Sequence, residues 1–299
     1  MPTKVFALLT SLFMLSSCHF VTNAPKEKPT LSPAPSPSQS QTASVSPTTS
    51  PMPSESASPT VTPVLRNRTV ALYYSAQTQD GLRLFREFRA IRSTADVGLS
   101  SLRYLVSNGQ KPLDPDYQNF WGNGSIIHYI NYVGNRAVVD LSVVPLEIDA
   151  QAEQRAIDQL VWTLTANHPA TKFVKFTSSG KTFQSFSGFV DATRTFSRQL
   201  HYEVLGSVWV DQLRSVMTNP VTVKGTACTF EAGVHWMLIR DGNVIREDHT
   251  MAAGACPMRG AWSVSLGSLR PGKYIFIAQD ISPKDGQAVQ EDSKEFQIK

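Results

Sequence analysis

An α+β domain followed by an all-β sandwich, both behind a disordered N-terminal tether, is the organisation that three observations predict. Residues 19–63 are nearly all Pro, Ser, Thr, Ala and Gln; from Thr69 strand-like and amphipathic helical segments alternate; after Tyr202 only short strands separated by turn dipeptides remain. The 299 residues, 41% apolar and 17% charged, suffice for one large domain or two small ones. A net charge of +4, 9% aromatic residues and the lack of a glycine period exclude collagen, coiled-coil and wholly disordered classes. The predicted divisions are a signal peptide over 1–17, a tether over 18–65, an α+β domain over 66–200 and a sandwich over 201–299.

Lys4 gives the N-terminus a positive start, Val5 to Leu15 is an apolar run, and Leu15-Ser16-Ser17-Cys18 follows. The run is too short for a mature membrane span and reads as a secretory signal. A branched apolar residue, two small residues and Cys resemble the lipobox of bacterial lipoproteins. That resemblance implies lipidation of Cys18, whose thiol takes a diacylglyceryl thioether. Two or three acyl chains on one residue anchor stably where one is marginal. An ordinary signal peptide with an incidental Cys is the alternative. The expected address is the cell membrane, with the folded part facing the extracytoplasmic space.

The tether holds ten of the nineteen prolines and four charges: Lys26, Lys28, Glu27 and Glu55. It cannot bury enough apolar surface to offset its ordering entropy, and its prolines favour extended polyproline II. At roughly 3.1 Å per residue it reaches about 140 Å at most.

In the α+β part, Thr69–Tyr74 and Leu82–Ile91 are rich in strand formers, and Asp96–Val106 places Leu99, Leu102, Leu105 and Val106 on one helical face. Ile126–Val133 and Arg136–Ser142 flank Gly134-Asn135, a two-residue hairpin turn. Ala152, Ala156, Ile157, Leu160, Val161 and Leu164 recur at helical spacing, with Pro169 just beyond; Lys172–Thr177 returns as a strand. The sandwich is expected to use Ser207–Leu213, Val221–Thr226, Gly233–Arg240, Asn243–Thr250, Ala261–Ser265, Lys273–Gln279 and Glu291–Ile298. Val234, Trp236, Leu238 and Tyr274, Phe276, Ala278 alternate inward. With Cys18 assigned to lipid, Cys228 and Cys256 remain, and an exported pair is most simply a disulfide; two buried free thiols are the alternative.

From Thr69 to Arg198 the chain resembles the GerM domain of spore-germination proteins and bacterial surface lipoproteins. Gly134 to Ser142, reading Gly-Asn-Arg-Ala-Val-Val-Asp-Leu-Ser, carries most of the likeness, supported by Gln159–Thr165, Leu72-Tyr73-Tyr74 and Glu87-Phe88-Arg89. Asn108-Gly109 and a later Pro112 stand where the family has Gly-Pro. Asn219 to Ala227, Phe230-Glu231-Ala232 and Asp285-Gly286 resemble the immunoglobulin-like domain of bacterial spore germination, which often follows GerM. Together these resemblances imply an accessory surface protein with no established catalysis or cofactor, and a fold similar to ring-building motifs that act by packing against neighbours.

No motif points to an enzyme. Gly180-Lys181-Thr182 lacks the leading glycine of a phosphate-binding loop, Lys175 occupying its place. Ser178 and Lys181 form Ser-x-x-Lys on an expected strand turn instead of a helix start. His128, His168, His201, His235 and His249 show no metal-ligand spacing, and Glu247-Asp248-His249 would alternate faces of a strand. An acid pair such as Asp114 and Asp116 needs no local motif, so an envelope-polymer hydrolase remains the third hypothesis. Candidate binding residues are Trp121, in a loop with Gly122 and Gly124, as an exposed aromatic contact or equally as a ring covering the core below, and Arg83, Arg86 and Arg89, which crowd one strand but alternate in face, with solvated strand charges as the alternative. Trp209, Trp236 and Trp262 are expected in the sandwich core. No metal or cofactor is expected, nor a nucleotide or nucleic acid, given the compartment and small net charge. The expected partners are the membrane, through the lipid, and another cell-envelope protein; a cell-wall polymer is the alternative.

Overall fold

The computed structural model describes residues 64–107 and 109–299. The expected signal peptide, Cys18 and the tether to Pro63 lie outside the described residues, as does Asn108.

Two long strands open the chain. β1 (Arg66–Thr78) and β2 (Gly81–Ser93) form an antiparallel hairpin paired from Thr78↔Gly81 to Arg66↔Ser93. β1 runs three and four residues past its expected ends, and β2 one and two. α1 (Val97–Val106) starts where the Asp96 carboxylate accepts the Leu99 N–H at 2.8 Å, satisfying one orphan donor of the first turn. β3 (Ile126–Val133) and β4 (Arg136–Ser142) flank the Gly134-Asn135 turn as expected, and Gly134 takes φ +58° there. α2 (Ala150–Asn167), capped by Asp149 on the Ala152 N–H, crosses over from β4 to β5 (Phe173–Thr177), which lies parallel to β4. A strand the sequence did not signal, β6 (Thr195–Ser197), completes the order β3-β4-β5-β6.

A first core gathers Leu72, Tyr74, Phe85, Leu105, Leu141 and Phe176 with the inward face of α2, Ile157, Leu160 and Leu164. Its loops are tied down by buried carboxylates. Glu87 accepts the N–H groups of Leu113 and Asp114 and a bond from Arg89 Nε. Asp140 of the Asp-Leu-Ser segment accepts the Gly180 N–H at 2.7 Å and the Thr177 hydroxyl at 2.8 Å.

The expectation of strands only after Tyr202 is corrected at its first residues, where α3 (His201–Val204) is one helical turn. The single strand expected over Ser207–Leu213 is shorter, β7 (Val208–Val210), and a separate β8 (Val216–Met217) follows. β9 (Val221–Ala227), β10 (Gly233–Arg240), β11 (Asn243–Met251), β12 (Gly260–Gly267), β13 (Gly272–Ile281) and β14 (Ala288–Ile298) complete the chain. They form a five-stranded sheet, β11-β10-β13-β14-β8, facing a three-stranded one, β12-β9-β7. Between the sheets lies a second core, in which Val234, Trp236, Leu238, Tyr274, Phe276 and Ala278 point inward as their alternation predicts. Cys228 and Cys256 are joined as a disulfide 28 residues apart, worth about 3 kcal/mol by loop-closure entropy.

Gly225 allows β9 to pass beneath the indole of Trp262. A methyl group there would stand 1.9 Å from the Trp209 carbonyl oxygen and 2.3 Å from the Trp262 ring. One of the two obstacles is backbone, which cannot rotate away. Gly225→Ala is therefore expected to destabilise by about 1–3 kcal/mol, read as a lower urea midpoint with little change in slope.

Candidate functional site

Trp121 is buried, only 4% exposed, which corrects the expectation of an exposed aromatic contact. Its indole N–H donates to the Ala156 carbonyl of α2 at 2.9 Å, and its ring meets Phe186 edge-on at 5.7 Å. The flanking glycines take φ +103° and +98° at Gly122 and Gly124; they turn the chain so that the ring folds inward.

The arginine strand divides by face. Arg83 stands 4.0 Å from Asp80 and donates to the Glu203 carbonyl, and Arg89 pairs with Glu87 at 3.0 Å and donates to the Lys111 carbonyl. Arg86, on the other face, stacks on Phe88 at 4.6 Å and on Trp209 at 5.1 Å. Charge that looked clustered along the sequence is thus neutralised on one side and stacked on aromatic rings on the other.

Trp209 belongs to the first core, which corrects its expected place inside the sandwich. Strand alternation sends Val208 and Val210 into the sandwich and Trp209 the opposite way, against Tyr73 at 6.3 Å. Beside this wedge runs a buried polar junction. Lys294 Nζ reaches Asp114 Oδ2 and Asp292 Oδ1, both at 2.6 Å, and the Tyr117 hydroxyl at 2.9 Å. Tyr117 donates to Asp292 at 2.7 Å, and Ser293 donates to Asp116 at 2.9 Å. Burial, with Asp292 and Asp114 alongside, drives the Tyr117 phenol well above its ordinary value, so it remains a donor. The two aspartates considered as an acid pair are thereby engaged with β14.

Ser178 and Lys181 exchange backbone bonds of 2.7 and 3.0 Å around Ser179 and Gly180, both with positive φ, and form a tight turn. The histidines lie apart, with one exception that spacing could not reveal. His235 and His249 face each other across β10 and β11, their rings 4.8 Å apart. Among the described residues no group of three His, Cys, Asp or Glu converges to hold a metal ion.

The outer edges of the sheets differ. At β3, the Arg103 guanidinium covers the edge by donating to the Ile127 and His128 carbonyls. β11, the last strand of the five-stranded sheet, pairs with β10 alone and is exposed along nearly its whole length. Val244 is 50%, Ile245 45% and Met251 63% exposed, and a bulge opposite Leu238 and Ile239 disturbs the ladder beside Ile245. Arg246 turns back from this strand to stack on Trp236 at 5.7 Å and donate to the Leu266 carbonyl. Among the described residues no helix is long and apolar enough to cross a membrane.

Residues 71–184 match the family described as Sporulation and spore germination (Germane), and residues 208–287 match the Immunoglobulin-like domain of bacterial spore germination. Among solved structures, a candidate lipoprotein from Clostridium perfringens is 17% identical, with 44% of this chain aligned to 88% of that one and a TM-score of 0.30. The first GerMN domain of the sporulation protein GerM from Bacillus subtilis is 19% identical over 45% of this chain and 98% of that one, TM-score 0.34. The tandem GerMN domains of the same protein are 16% identical over 48% of this chain and half of that one, TM-score 0.36. No curated protein matches the chain.

Proposed function

From a chain that carries a sporulation-and-germination domain followed by the immunoglobulin-like domain of bacterial spore germination, we propose a non-catalytic accessory protein of the cell envelope. It is held to the membrane by lipid on Cys18, faces the extracytoplasmic space on its Pro-rich tether, and binds another envelope protein.

The observation that supports binding to a protein is the open edge at β11. A nine-residue strand with one unpaired side and exposed Val244 and Ile245 offers both main-chain groups and apolar contacts to an extended segment of a partner. Glu247 and Asp248 on the same strand favour a partner segment that carries basic residues. The wall-polymer alternative drew on Trp121 and the arginines of β2, and the burial of the Trp121 ring removes its aromatic platform.

Co-sedimentation of residues 66–299 with purified wall sacculi stripped of phosphodiester polymer separates the two readings. Binding to a protein predicts that the fragment stays in the supernatant once moderate salt is present. Pelleting that resists salt would replace it with glycan recognition.

A further inference from the structure

Three arginines from distant parts of the sequence meet aromatic rings on the side of the first core where Trp209 enters. Arg86 of β2 and Arg259, just before β12, both stack on Trp209, at 5.1 and 4.4 Å. Arg198, just after β6, stacks on Trp162 at 4.4 Å. Tyr73 lies between the two indoles, 5.6 Å from Trp162 and 6.3 Å from Trp209.

Among the described residues none of the three guanidinium groups has a carboxylate within 4.0 Å, although Arg83 and Arg89 of β2 each have one. Donors outnumber acceptors as well. Arg86 makes no hydrogen bond to the described residues. Arg198 donates through Nε to Thr165 and Nη2 to the Trp162 carbonyl, and Arg259 donates to the carbonyls of Gly206 and Thr226. The Nε of Arg259 and the indole N–H groups of Trp162 and Trp209 are buried without partners. Stacking occupies the faces of a guanidinium and leaves its N–H edge free, and that edge fits the oxygens of phosphate two at a time.

The like charges work against one another. Burial, and then Arg86 close by, pull the Arg259 guanidinium down to about 10, and burial lowers Arg198 too. A bound oxyanion would relieve the repulsion and supply the missing acceptor together.

We propose that this seam binds a phosphate group, with Arg86 and Arg259 as its principal donors and Arg198 at its margin. The site is separate from β11 and does not depend on the partner proposed there. Phosphate reaches an envelope protein from two sources, a phosphodiester polymer or a phospholipid headgroup, and both present the same two oxygens to a guanidinium fork.

Because Trp162 and Trp209 lie in the seam, intrinsic fluorescence of the purified protein reports on it. Titration with sodium phosphate, against sodium chloride at equal ionic strength, is expected to give a saturable change that chloride does not. Arg86→Gln should weaken it at least tenfold, Arg86→Lys severalfold because charge remains without the fork, and Arg92→Gln, which removes the same charge farther along β2, should leave it unchanged. Poly(glycerol phosphate) and vesicles of phosphatidylglycerol, each competed against phosphate, then identify the source. A wild-type protein that responds to phosphate and chloride alike overturns the proposal. So does a saturable response that survives Arg86→Gln in full, since phosphate would then bind elsewhere and the arginines would serve only as stacking partners.

Discussion

Replacing Lys294 with Met is expected to destabilise the protein by about 3–5 kcal/mol, because it strands two buried carboxylates that share one cation. The Asp114 and Asp292 side chains are almost wholly buried, and the ammonium at 2.6 Å from each is the only positive group bonded to them among the described residues. The bonds from Tyr117 and the Val210 N–H to Asp292 do not neutralise it. Urea unfolding of Lys294→Met and of the double variant Lys294→Met/Asp292→Asn separates charge from shape. The second substitution is expected to restore part of the loss, since only one carboxylate then lacks its counter-charge. The pH dependence has a definite sign. Burial works against the Lys294 charge, but Asp292 and Asp114 outweigh it and hold the ammonium above its ordinary value of 10.5. A raised folded value means that this stabilisation is complete below 10.5 and is lost as pH rises through the higher value. Through Lys294 the junction is therefore expected to persist at neutral pH and loosen in alkali; burial raises Asp292 above the ordinary carboxylate value, so falling pH discharges the pair from that side.

A loss of similar size is expected from Glu153→Ala, by about 3–5 kcal/mol, through unsatisfied donors. Glu153 is fully buried on α2 and accepts four backbone N–H groups, from Phe186 and Ser187 through Oε1 and from Phe189 and Val190 through Oε2, at 2.8–3.0 Å. The loop so held places Phe186 against Trp121, Phe176 and Phe183. Hydrogen exchange gives the specific signature: the amides of 186, 187, 189 and 190 should lose protection well before those of β4 and β5. Uniform loss across the first core would show that the carboxylate supports the whole fold and not the loop.

Local patterns were legible in the sequence, and non-local meetings were not. The β3–β4 hairpin, α2 and the inward alternation of β10 and β13 follow from period and turn chemistry within a dozen residues. β6 has three residues and too little pattern to signal itself, and α3 is a single turn. The sequence marks Trp209 as apolar and strand-borne, but which face of β7 meets which core depends on how the sandwich sits against β1 and β2. Arg259 joins Arg86 across more than 170 positions, so no spacing could have announced the pair. For Trp121 the sequence leaves exposure and an inward ring equally open, because flexible neighbours permit both; the hydrogen bond from its indole to the Ala156 carbonyl of α2 decides for the second.

Whether this protein works by holding a partner protein at β11 is decided by a photo-crosslinking residue placed at Ile245 in the full chain in intact cells. One discrete protein adduct is expected from position 245 and none from Lys273, which lies on β13 away from the open edge. Equal labelling from both positions, or no protein adduct from either, would contradict it.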